Sequence, residues 1–187
     1  DYPVLILDTE TTGLLATDEV IELAFLVINE YGEEEDVYSR VWRTNHRSNP
    51  FAQKIHQISP VEVRNSPHLP KDECVVLQRA MDSVWRRGGK VIAHNLDFDM
   101  RKLCHTAEMA GASLRFSGQK MCTMKATRRL PVSSRGRSCT NSGLREYLQL
   151  PMPSGQVHRA LCDARITLSI FMRGLENEWW CKPRCLD

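Results

Sequence analysis

Hydrophobic and polar positions alternate along this chain in blocks that change period, and the blocks mark its elements. Residues 3–8 (PVLILD) form a short apolar run ending in a carboxylate, which predicts a buried strand whose polar end lies at a sheet edge. Residues 20–28 (VIELAFLVI) predict a second, longer strand, and a third is predicted around Val37 to Trp42, after the turn at Tyr31-Gly32 and the acidic run Glu33 to Asp36. The three read as an antiparallel meander. The next segment, with Pro50, Pro60, Pro67 and Pro70, reads as irregular. From Lys71 the period becomes helical, with Leu77, Ala80, Met81, Val84 and Trp85 on one side and a stop at Gly88-Gly89. Residues 90–94 predict a strand, and Met100, Leu103, Cys104 and Ala107 a helix ending at Gly111. A short strand at 121–123, a small helix at 142–148 and a last helix carrying Leu161, Ala164, Leu168, Met172 and Leu175 complete the order. Strands first, then alternating helices and strands, predict a single α/β domain over residues 1–178, with a mixed five-stranded sheet flanked by helices and residues 179–187 as a tail.

Composition adds exclusions. The 187 residues suffice for one domain, and 42% hydrophobic with 26% charged residues excludes disorder. No run reaches the ~18 apolar residues of a membrane helix, so a membrane partner is not expected. Seven cysteines at irregular positions argue for a reducing intracellular compartment, cytoplasm or nucleus, and Cys181 with Cys185 alone is too little for a structural zinc. Net charge is only +2, but Glu108 to Glu146 contains no acid between its ends while Arg115, Lys120, Lys125, Arg128, Arg129, Arg135, Arg137 and Arg145 fall there. A solvated loop explains such a run; so does contact with a nucleic-acid backbone.

The candidate chemistry is carboxylate chemistry. Asp8 and Glu10 are two apart at a strand end, so both leave the same face. Asp99 falls in the first turn of one predicted helix and Asp163 in the first turns of the last, where capping and the helix dipole account for an acid taken singly. Together, four acids at strand ends and helix starts suit two divalent cations, which cancel carboxylate repulsion and then receive a phosphodiester; oxygen-only ligands favour Mg²⁺ or Mn²⁺. His158, just ahead of Asp163, has the side chain to take a proton from water near neutral pH.

DTETTG (8–13), HNLDFD (94–99) and HRALCD (158–163) resemble, in order and spacing, the three motifs of the DnaQ-like DEDDh 3′-to-5′ exonucleases. The resemblance runs from about Val4 to Leu175 and takes in VIELAFLVIN, IHQISP and SGLREYLQLP. It implies a ribonuclease H-like fold, Asp8, Glu10, Asp99 and Asp163 as metal ligands, His158 as general base, and release of 5′-mononucleotides from the 3′ end of DNA or RNA, single strands preferred. It further implies substrate contacts from Thr9, Thr11, Thr12, Gly13 and Leu14 of the first motif, from His56 and Ile58, and from His94, Asn95 and Phe98, with Arg128 and Arg129 tracking the backbone. The implied partners are a nucleic acid with a free 3′ hydroxyl and a polymerase or other nucleic-acid-processing protein. A silent nucleic-acid-binding or polymerase-accessory module on the same fold is the competing reading. One departure stands out: Cys122, in MCTMKATRRL, occupies a position where relatives often carry Asp.

Overall fold

The computed structural model describes residues 2–130 and 139–180. Three strands, β1 (Val4–Thr11), β2 (Val20–Ile28) and β3 (Glu34–Val41), form the antiparallel meander; β4 (Lys90–Ala93) and β5 (Lys120–Cys122) extend the sheet in parallel, giving the order β3-β2-β1-β4-β5. The central strand β1 is apolar on both sides because both sides are covered. Its odd residues Leu5 and Leu7 pack with Leu77, Met81, Val84 and Leu103 of α3 (Pro70–Arg86) and α4 (Leu96–Met109). Its even residues Val4 and Ile6 pack with Ala160, Ala164 and Phe171 of α7 (Ala160–Glu176). This division of β1 into an odd face and an even face sets out the site below.

The structure corrects two expectations. The third strand begins three residues earlier than Val37, because Glu34 and Asp36 pair with Ile28 and Val27 at a solvent-facing sheet edge where acids carry no burial cost. Trp42, expected to end that strand, lies one residue past it, still donating its amide to Ile21 O at 2.8 Å, and is fully buried. The segment expected to be irregular holds two short helices, α1 (Pro50–His56) and α2 (Pro60–Asn65). Their prolines start helices rather than break them: each occupies the first turn, behind Asn49 or Ser59 accepting a free amide. A single turn, α5 (Thr123–Ala126), follows β5, and α6 (Asn141–Tyr147) precedes α7. Interior packing runs on to Trp180, whose indole donates to Phe171 O at 2.8 Å. No helix among the described residues is long and apolar enough to cross a membrane.

Candidate active site

Asp8 and Glu10 continue the even face of β1 past its apolar residues, so they point toward α7, whose first turn carries Asp163. One carboxylate oxygen from each of the three lies within 4.8 Å of the others. Asp99 comes from α4, on the odd face. It is 3% exposed and accepts the Thr9 hydroxyl at 2.7 Å, so it approaches Asp8 from the opposite side of the strand rather than joining the cluster of three.

Packing four carboxylates together raises the proton affinity of each. Burial, then the charges of Asp99 and Asp163, hold Asp8 well above the ordinary carboxylate range. Burial and then Asp163 push Glu10 up to about 9. Burial brings Asp99 to about 7 against the opposing hydrogen bond from Thr9, and Asp163 to about 6 against the opposing charge of His158. These folded-state values exceed the unfolded ones near ~4, so across the window between them the folded chain holds protons that the unfolded chain has released. Stability of the chelated protein is therefore expected to fall as pH rises from about 5 to 9, in the window of these shifts. Divalent ions are expected to restore it increasingly over the same range, because each bound cation competes with protons. Melting curves in chelator and in Mn²⁺ at several pH values check this; a pH-independent metal effect would contradict it.

His158 sits one residue ahead of the N-cap Arg159, in the left-handed region with φ 64°. Its side chain is 53% exposed, and Nδ1 lies 3.9 Å from Asp163 Oδ2. The ring thus stands at the rim of the acid cluster with room to meet a water.

The turn after β1 is braced from within. Asp18 accepts the Thr12 hydroxyl at 2.9 Å and the Leu15 amide at 2.8 Å, and the buried Lys102 ammonium donates to Leu15 O. The Thr11 hydroxyl donates to Gly13 O at 2.8 Å. A Cβ at Gly13 would lie 2.3 Å from Asn49 Nδ2 and 2.4 Å from Asp18 Oδ2, so both side chains, one capping α1 and one bracing the turn, would have to shift. Leu14 and Leu15 are left at 78% and 71% exposure, apolar groups presented beside the acids.

This packing places the expected substrate set at different depths. Thr9, Thr11, Thr12, His56 and Ile58 have interior side chains, which leaves their backbone groups as the part that could meet a substrate. The hydroxyls are consumed by the turn and by Asp99, while His56, 1% exposed, accepts the Ile58 amide at 3.0 Å and ends α1. Burial also lowers the proton affinity of His56. Leu14 and the half-buried Phe98, whose ring centre lies 5.6 Å from the Lys102 ammonium, stand open to contact, with Gly13 buried beneath Leu14 in the same turn. His94 and Asn95 line a cleft of about 480 Å³ together with Met124, Cys139, His158 and Asp163. Both His94 nitrogens are engaged, at 2.9 Å to Thr123 Oγ1 and 2.9 Å to Cys139 O, and burial lowers its proton affinity. Arg128 and Arg129 are exposed just past α5; Arg135 and Arg137 lie outside the described residues, as do Cys181 and Cys185. Cys122, half-buried at the end of β5, packs against the core cluster on the odd face of β1.

Glu22, Asp18 and Lys102 are absent from the expected set. A signal for Glu22 was present, since an acid inside the otherwise apolar VIELAFLVI is costly to bury without a partner. Lys102 faces the interior between Leu103 and Met100, and only the fold reveals the carbonyls it meets.

Residues 5–171 match the family model described as exonuclease. Exodeoxyribonuclease 10 of Escherichia coli (strain K12) is 28% identical over 183 residues, which is 97% of this chain and 73% of that protein. The structure of exonuclease X in complex with 5′ overhanging duplex DNA superposes with a TM-score of 0.72 at 26% identity, covering 95% of this chain and 94% of that one. The nuclease domain of 3′hExo, described as a DEDDh family member bound to rAMP, shares the fold with a TM-score of 0.74 at 18% identity, covering 97% and 96%. With the family's motifs gathered at one end of the central strand, and the family model spanning nearly the whole sheet and its helices, the chain belongs to the exonuclease family as a DnaQ-like, ribonuclease H-like 3′-to-5′ exonuclease.

Proposed function

We propose that this chain removes nucleotides one at a time from the 3′ end of DNA, with Asp8, Glu10, Asp99 and Asp163 holding two divalent cations and His158 acting as general base. The observation that carries the reading is the cluster of Asp8, Glu10 and Asp163 within 4.8 Å, with Asp99 behind it and His158 at its rim. The donor set fits hard cations such as Mg²⁺ or Mn²⁺: every ligand is a carboxylate oxygen, and mutual repulsion leaves the acids in need of positive charge. Asp8, Glu10 and Asp163 would hold one ion, and Asp8 with Asp99 the second. Bound there, such ions supply a water of lowered pKa and offset the charge growing on the leaving 3′ oxygen.

The protein's own groups complete the step. His158 Nδ1 or Nε2 takes the proton of the attacking water from its place at the rim of the acid cluster. The 3′ terminal nucleotide lies against Gly13, Leu14 and Phe98, with the next one along the cleft at His94 and Asn95. Reaching the acids requires the terminal nucleotide to leave any partner strand, which supports a preference for single strands or opened ends. Exposed Arg128 and Arg129 lie on the basic stretch that would follow the backbone. Deoxyribose is supported by the name of the curated relative, an exodeoxyribonuclease, and by the DNA held in the exonuclease X complex. A reducing intracellular compartment is supported by the cysteines at 74, 104, 122, 139 and 162, all free thiols.

Matched 5′-labelled DNA and RNA oligonucleotides test the proposal. DNA is expected to give a ladder shortening by one nucleotide at a time and RNA to be cut more slowly. Circular single strands are expected to be spared, and a 3′ phosphate to block cutting because its charge would sit beside Glu10. Cutting of circles would show an endonuclease; RNA cut faster than DNA would reassign the substrate.

A further inference from the structure

We propose that Arg159 and Glu22 are positioning residues that lock the backbone beneath His158 and thereby aim its ring at the acid cluster; the inference rests on the role proposed for His158 above. Glu22 is the one acid of β2, whose nine residues are all buried, and it is itself 2% exposed. It stands directly opposite Glu10 in the β1–β2 register, a placement that sets two carboxylates against each other unless one is paired. Arg159 supplies the pairing: Nε lies 3.2 and 2.9 Å from the two Glu22 oxygens and a terminal nitrogen 2.5 Å from one of them. The same guanidinium lies 3.6 Å from Glu62 of α2.

Glu22 also acts on the helix. Arg159 is the N-cap of α7 but makes no capping bond with its own side chain; Glu22 accepts the Ala160 amide at 2.7 Å instead. The start of α7 is therefore capped in part from β2, across the fold, beside the Asp163 carboxylate of its own first turn, which accepts the His158 amide. His158, the next residue back, holds φ at 64°, a conformation uncommon outside glycine, though histidine, like asparagine and aspartate, adopts it more readily than most side chains. The residue after it is held by the planar fork and the amide after that by the same carboxylate. Such a clamp leaves the chain at 158 little freedom to relax, and the ring stays 3.9 Å from Asp163. Freed of the fork, the segment can return to negative φ, which swings the ring away from the acids. Asp8, Glu10 and Asp99, on β1 and α4, would stay in place, and Asp163, in the first turn of α7, is held there by its own helix.

A double-mutant cycle separates aiming from plain support of α7. Arg159→Met is expected to lower kcat on a DNA oligonucleotide in saturating Mn²⁺ by up to about 10²-fold, the scale for a group displaced by about an ångström, with KM little changed. The rise in melting temperature with Mn²⁺ should be preserved. In a His158→Ala background the same substitution should cost less than about twofold, because its target is already gone. Glu22→Gln, which keeps an oxygen for the Ala160 amide and leaves no buried charge, should behave likewise with a smaller loss and serves where Arg159→Met fails to fold. Equal losses with and without His158, loss of the Mn²⁺ effect, or no loss at all would overturn the clamp. If His158→Ala alone keeps full activity, the base assignment falls and takes the clamp with it; if His158→Ala is impaired while Arg159→Met and Glu22→Gln are not, the base stands and only the clamp falls.

Discussion

Asp8→Asn and Asp163→Asn are each expected to lower turnover by at least about 10³-fold, since a bound divalent cation contributes several kcal/mol to such a transition state and each ~1.4 kcal/mol is tenfold. The same substitutions should stabilise the protein in chelator at pH 9. At that pH Asp99 and Asp163 are above their raised values of about 7 and 6 and Glu10 is at its own of about 9, and removing one acid from the group relieves burial and repulsion together. They should also abolish most of the rise in melting temperature on adding Mn²⁺. Activity and stability thus move in opposite directions, which an ordinary destabilising mutation cannot imitate. Asp99→Asn should share the loss of activity with a smaller gain in stability, because its Thr9 hydrogen bond favours the ionised carboxylate. Nuclease assays beside melting curves with and without Mn²⁺ decide the matter; full activity in excess chelator would end the two-cation reading.

His158→Ala is expected to cost about 10² to 10⁴-fold in rate, the usual range for loss of a general base, while leaving Mn²⁺ binding intact. The side chain is 53% exposed and stands at the rim of the cluster, so little packing is lost and the melting temperature should barely move. A small gain is expected from the backbone if His158→Gly is made, because φ at 64° carries no penalty for glycine. Equal loss of rate in both variants would assign the effect to the imidazole. Unchanged turnover would make His158 a bystander.

The three motifs were legible because their chemistry is local. Two acids two residues apart at a strand end must share a face, and an acid in the first turn of a helix is placed by the helix itself, so Asp8, Glu10, Asp99 and Asp163 could be named from spacing. The same logic found the central strands, whose apolar runs leave no other reading. Where local and tertiary preferences diverged, reading along the chain failed. Acids at Glu34 and Asp36 look like a turn until an edge strand lets them face solvent. Prolines at 50 and 60 look like breaks until an Asn or Ser ahead of each caps a helix.

The amino-acid sequence by itself determined the kind of chemistry, because ligand type and local geometry travel with a few adjacent residues. Only the tertiary structure decided that three acids form one cluster while Asp99 reaches Asp8 from the far side of the strand, and that His56 and the threonines of the first motif face inward. It alone brought Glu22 to the start of a helix 138 residues away along the chain. The reason is physical: a buried polar group takes whichever partner the packing of distant elements delivers, and the penalty for leaving it unpaired, not its neighbours in sequence, selects that partner.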